Sequence, residues 1–183
     1  TDAAYVWVID PIDGTKAFIT GIPLFGTLIA LLHDGVPVLG IIDQPVLKER
    51  WVGVKGRATT LNGQPVRTRP CANLSDAYLF STTPDMYRGA DERAFGRLRG
   101  AVQFTRFGGD CYAFGLLASG FIDVVTEASL KPYDYCALVP VVVGAGGVMT
   151  DWQGQPLGLR SDGRVIAAGD ARIHQQGLAR LAG

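Results

Sequence analysis

Trp7-Val8-Ile9-Asp10-Pro11-Ile12-Asp13-Gly14-Thr15 decides how the rest of the chain is read. An apolar run, Tyr5 to Ile9, stops at an acid, and a second acid, a glycine and a hydroxyl follow within a few residues. That is the pattern of a buried strand ending in a site. Pro11 biases Asp10 away from helical backbone angles, so strand geometry is expected as far as the first acid, with a turn starting there. Across the turn Asp10 and Asp13 can face one pocket, and two hard anionic oxygens held close together repel unless a cation sits between them. A metal ion is the expected guest. Gly14 permits a backbone conformation closed to other residues, and Thr15 adds an amide N–H and a hydroxyl where a helical turn begins, which suits an anion.

The chain has 183 residues, 48% of them hydrophobic, with 24 glycines, enough for one α/β domain with a sizeable core. Lys plus Arg and Asp plus Glu are 17 each, so no global field draws in nucleic acid or an anionic membrane. Arg67, Arg69, Arg88, Arg93, Arg97 and Arg99 read as a solvated face, with no aromatic residues interleaved at a stacking spacing. Cys71, Cys111 and Cys136 show no ligand-like spacing and read as reduced packing residues of a cytoplasmic protein. No apolar run is long enough to span a membrane. The sequence opens without Met a few residues before the first strand, which reads as one domain lacking its N-terminal segment.

Within that single domain, residues 1–70 are expected to form a β-rich half carrying the acidic motif, and residues 71–183 an α/β half. Strands are predicted at 24–32 and 36–42 around Asp34-Gly35, at 48–54, and as a hairpin over 59–66 around Asn62-Gly63. A strand at 77–81, a helix from about 85 to 98 and a strand at 103–107 follow. A buried helix over 110–120 would have Asp110 as its N-cap. A strand at 122–127 precedes a buried helix over 133–145, which Pro140 should kink. Strands at 148–152 and 164–168 and a helix at 171–181 close the chain. His33, in a turn, and His174, on the last helix, are expected at the surface.

Asp10-Pro11-Ile12-Asp13-Gly14-Thr15 after a strand resembles the metal signature of the inositol monophosphatase superfamily, magnesium-dependent phosphomonoesterases. Asp134 opens a buried helix and could simply cap it. In the family an aspartate at this place reaches the metals from the far side of the cleft, usually within Trp-Asp-x-Ala-Ala-Gly. Tyr133-Asp134-Tyr135-Cys136-Ala137-Leu138 keeps the acid but lacks the Trp and the final Gly, while Gly144-Ala145-Gly146-Gly147 matches well. The resemblance implies a layered α/β sandwich like that of inositol monophosphatase and fructose-1,6-bisphosphatase. It implies two or three Mg2+ ions held by Asp10, the Ile12 carbonyl, Asp13 and Asp134. The Gly14 and Thr15 amides would bind phosphate, and Asp13 and the Thr15 hydroxyl would serve catalysis, the hydroxyl orienting the attacking water.

Within the family, the stretches 10–21, 40–45 and 107–112 are most similar to histidinol-phosphate phosphatases of the inositol monophosphatase type. Asp110 stands where polyol phosphatases usually carry a small residue or a hydroxyl. With Glu127 it would place two acids around the leaving group, alongside Gly109, Cys111 and Asp134, and so suggest an ammonium-bearing substrate. The expected partner is therefore a small phosphorylated substrate, with no nucleic acid and no membrane, and a homodimer is expected. Two family acids that complete the metal shell lie upstream of the region matched, which covers about two thirds to three quarters of a family member. A polyol-phosphate phosphatase and a catalytically incompetent piece of such an enzyme are the rival readings.

Overall fold

The computed structural model describes residues 3–183. β1, Tyr5–Asp13, runs through Pro11 instead of ending at Asp10. It is an edge strand, paired only with β2, and its register shifts between Asp10 and Asp13. An edge tolerates a proline without N–H, and the irregularity re-aims the two acids away from regular alternation. The strand is also not buried. Tyr5, Trp7 and Ile9 are 61, 59 and 52% exposed, while Val6 and Val8 are half-buried. An apolar run alone does not distinguish a strand covered on both faces from one covered on a single face.

A short helix, α1 (Thr15–Ile19), leads to β2 (Gly26–His33), β3 (Val36–Gln44) and β4 (Glu49–Val54), all antiparallel. β5 (Thr60–Leu61) and β6 (Gln64–Pro65) complete a six-stranded sheet in sequential order. Both hairpin turns are as the sequence predicts. Asp34-Gly35 takes φ of 49° and 77° and Asn62-Gly63 takes 50° and 81°, the left-handed pair of a tight β-turn.

The second sheet is built by β7 (Tyr78–Ser81), α2 (Ala90–Arg99), β8 (Phe104–Phe107), α3 (Asp110–Ala118) and β9 (Val124–Glu127), then α4 (Pro132–Tyr135) and α5 (Leu138–Gly144). β10 (Val148–Thr150), β11 (Val165–Ala168) and α6 (Ala171–Ala182) end the chain. Its strand order is β10-β11-β9-β7-β8, with β7 parallel to both β8 and β9. α2 starts later than expected, because residues Pro84–Met86 form a separate 3-10 turn and Gly89 at φ 58° breaks the path. The helix expected over 133–145 is two pieces, divided at Cys136-Ala137. The cause is Pro140, which has no N–H to give the Cys136 carbonyl four residues earlier, so the interruption falls one turn upstream of the proline.

α3 and α5 lie between the sheets, and their apolar residues join Leu28, Ile42 and Trp51 of the first sheet with Val125 and Val165 of the second in one core. α2 and α6 cover the outer face of the second sheet around Leu79, Phe95, Leu98, Ile166 and Ile173. α5 rests its backbone on the first sheet: a Cβ at Gly40 would stand 1.9 Å from the Ala137 carbonyl oxygen, and one at Gly53 2.4 Å from Pro140. Only glycine permits this approach.

Two surface expectations are corrected. His174 is buried and shares a 2.9 Å hydrogen bond with the Thr150 hydroxyl, because its helix face turns toward β10. Arg69 is not part of a solvated face: its Nε and Nη2 donate to the fully buried Asp123 carboxylate at 2.7 and 2.5 Å, and Tyr78 N–H adds a third donor at 2.8 Å. His33 is exposed, stacked on Tyr5, and Cys111 and Cys136 are buried in the core as free thiols. Among the described residues no helix is long and apolar enough to cross a membrane.

Candidate active site

The irregular end of β1, the start of α1 and the start of α4 converge. Asp10, Asp13 and Asp134 each present a carboxylate oxygen, and the three atoms lie within 4.8 Å of one another. Each acid is anchored by one backbone amide. Ile12 N–H donates to Asp10 Oδ1 at 3.1 Å, Cys111 N–H to Asp13 Oδ2 at 2.7 Å, and Lys131 N–H to Asp134 Oδ2 at 2.6 Å. One oxygen of each side chain is thereby held and the other left for a ligand, which is how a preorganised cation site is built. Asp134 is thus both a helix-capping acid and a member of the cluster.

Burial pushes the Asp13 carboxyl up to about 7; the Cys111 amide and side chain oppose this, and Asp110 and Asp10 add to it. Asp134 is raised by burial first, against the Lys131 amide, with Asp10 contributing. A half-buried, all-oxygen cluster of like charges is stabilised by a hard divalent cation, and the residues present therefore fit one.

Thr15 Oγ1 donates to the Ile12 carbonyl at 2.9 Å. Its proton is committed there, so it presents lone pairs to the pocket, and the Ile12 carbonyl keeps one lone pair of its own. Gly14, at φ 77°, turns the chain from strand into α1, whose first amides have no intrahelical acceptor.

Asp110 departs from its expected role. Gly109, not Asp110, precedes α3, and no side chain of the helix caps it. Asp13 caps it from across the fold, through the Cys111 amide. Asp110 itself takes φ 45°, following Gly108 at 82° and Gly109 at 126°, and its carboxyl packs 3.2 Å from where a Gly14 Cβ would stand. The side chain is free of capping because the backbone turns left-handed there, which Asp tolerates better than most residues. Burial raises its pKa, while the Thr82 hydroxyl and the Lys16 charge lower it. Cys111 itself is buried, and its side chain lies against Asp13.

Glu127 is 2% exposed and takes two hydrogen bonds on Oε1, from the Thr82 amide and the Thr82 hydroxyl, each 2.9 Å. Its Oε2 is buried without a partner. Burial pushes this carboxyl up to about 8, against the Thr82 bonds, with Asp110 and Asp13 adding to the rise. Its neutral form is thereby favoured.

Sequence reasoning missed Thr82 and Lys16. A signal for Thr82 existed. β7, β8 and β9 run parallel, and Thr82, Gly109 with Asp110, and Glu127 lie at or just beyond their carboxyl ends, where ligands collect in such sheets.

Fold and site together define a two-sheet layered α/β protein with an acidic cluster able to hold a cation, and the chain belongs to the inositol monophosphatase family, whose model it matches over residues 1–183. It is 55% identical to the bifunctional phosphatase IMPL2, chloroplastic, of Arabidopsis thaliana over 98% of this chain and 54% of that protein. It is 37% identical to the histidinol-phosphatase of Mycobacterium tuberculosis over 96% of this chain and 68% of that protein. The structure of an inositol monophosphatase from Zymomonas mobilis superposes with a TM-score of 0.98 at 51% identity, covering all of this chain and 72% of that one. The chain thus spans about half to two thirds of the length of the curated relatives it matches.

Proposed function

We propose that this chain carries the metal-binding and substrate-facing part of a magnesium-dependent phosphomonoesterase acting on a small amine-bearing phosphate ester, foremost histidinol phosphate. The observation that carries the reading is the convergence of Asp10, Asp13 and Asp134 beside the Gly14-Thr15 turn. When bound, divalent cations there neutralise phosphoryl oxygens and lower the pKa of water. Asp10, Asp13, Asp134 and the Ile12 carbonyl would hold them. The Thr15 hydroxyl, its proton spent on Ile12, accepts a hydrogen bond from water and so orients it. Gly14 and Thr15 offer amides to the phosphate.

Next to the Gly14 turn, Asp110 supplies the negative charge suited to an ammonium group, and Gly109, Cys111 and Glu127 frame that end of the pocket. Relatives bearing the name histidinol-phosphatase support this choice. Hydrolysis of an inositol phosphate is the second reading, favoured by the 51% identity to the Zymomonas mobilis enzyme. Turnover of histidinol phosphate and inositol 1-phosphate by the complete protein, measured side by side with magnesium, separates the two.

Two or three magnesium ions per site, a homodimer and a cytoplasmic setting belong to the same proposal. Exposed Ile19, Ile22, Val46 and Leu47 support association, and the free cysteines support a reducing compartment. Sedimentation of the purified protein tests the dimer.

A further inference from the structure

We propose that Thr82 is a positioning residue for the leaving-group side of the pocket, fixing the Glu127 carboxyl through one oxygen and leaving the other, Oε2, as the unpartnered contact. The inference rests on the phosphatase reading and adds a specificity device to it.

Three observations carry it. Thr82 commits both its amide and its hydroxyl to the same oxygen of Glu127, at 2.9 Å each, which fixes the rotation of a carboxyl group that nothing else grips. The other oxygen, Oε2, is fully buried and unpartnered. Native interiors rarely leave such an atom unpaired, because its desolvation is uncompensated until a ligand reaches it. The Thr82 side chain also favours the ionised form of Asp110, whose carboxyl packs against Gly14.

The placement at the carboxyl end of β7, between the ends of β8 and β9, puts Thr82 in the middle of the three parallel strands that frame the site. Its backbone position is set by the sheet, since the Gly108 N–H donates to the Ser81 and Thr82 carbonyls at 3.1 and 3.0 Å. Only the hydroxyl is free to be removed without disturbing that frame.

Thr82→Val removes the hydroxyl and keeps the branched shape and the amide; Thr82→Ser keeps the hydroxyl. In the complete protein, Thr82→Val should raise KM about three- to tenfold for an ester whose leaving group forms hydrogen bonds, histidinol phosphate or inositol 1-phosphate, with kcat nearly unchanged. An aryl phosphate, whose leaving group makes no such bonds, should change by less than about twofold, and Thr82→Ser should restore the wild-type pattern. In a Glu127→Ala background, where no carboxyl remains to be held, Thr82→Val should have no further effect on KM.

A uniform loss on all esters with a lowered melting temperature, or an additive effect in the double variant, would overturn the proposal. A readout independent of turnover is the carboxyl carbon resonance of Glu127 in isotope-labelled protein, which should titrate at higher pH in Thr82→Val. An unchanged titration would overturn the positioning role even if the protein hydrolysed none of these esters, an outcome that would separately defeat the phosphatase reading.

Discussion

Glu127→Gln should remove a loss of stability that the wild-type chain undergoes as pH rises. In the folded chain the Glu127 carboxyl ionises at about 8, whereas its reference value is 4.5. Between those values the folded state binds a proton that the unfolded state has released, so stability is fully present below the unfolded value and falls as pH rises through the window. The slope approaches about 1.4 kcal/mol per pH unit, and over the whole interval the loss reaches the order of 4 to 5 kcal/mol. Gln is neutral throughout, its Oε1 can still accept both Thr82 bonds, and its amide nitrogen fills the space of Oε2. That nitrogen lacks a protein acceptor and adds a cost that does not depend on pH. The informative quantity is therefore the change with pH, read from urea titrations of both proteins at pH 5 and pH 8 with a chelator present. The difference in unfolding free energy between variant and wild type should move in favour of the variant by several kcal/mol from pH 5 to pH 8. Parallel curves would show that Glu127 is ionised in the folded chain, and the neutral-carboxyl reading would fall.

Asp110→Asn keeps a residue that tolerates the left-handed backbone at φ 45° and removes the charge. It should lower kcat/KM for histidinol phosphate at least about tenfold, since a charge-assisted hydrogen bond is worth about 1.5 to 3 kcal/mol, and leave an aryl phosphate little changed. Arg69→Met strands the fully buried Asp123 carboxylate and should cost about 3 to 5 kcal/mol in denaturant titration; a loss under about 1 kcal/mol would mean water reaches Asp123. Gly40→Ala should prevent α5 from seating on β3 and give little soluble folded protein, because no rotamer relieves a clash with the Ala137 carbonyl.

Much of this arrangement was legible in local chemistry. Asp34-Gly35 and Asn62-Gly63 demand left-handed pairs and so announced their turns, and the acid-Pro-x-acid-Gly-Thr stretch announced a site. Burial was less legible. Tyr5, Trp7 and Ile9 are as apolar as a core strand but lie on an edge, and His174 lies on a helix whose inward face only the packing reveals. The effect of Pro140 was expected at the proline and falls at Cys136, since the lost hydrogen bond belongs to the residue four earlier. Asp110 has the composition of a cap, but three successive positive φ values turn it into the pocket and leave the cap to Asp13, distant in sequence. Such long-range exchanges of hydrogen-bond duties leave no trace in periodicity.

The central claim is that Asp10, Asp13 and Asp134 form the metal centre of a phosphatase, and Asp13→Asn tests it most directly. The amide oxygen can still accept from the Cys111 N–H, so α3 stays capped and the melting temperature of the chelated protein should be unchanged or slightly higher, as a buried charge is gone. The account predicts that magnesium binding by calorimetry and phosphate release by the complete protein both fall at least about a hundredfold. Turnover and magnesium affinity near those of the wild type would contradict it.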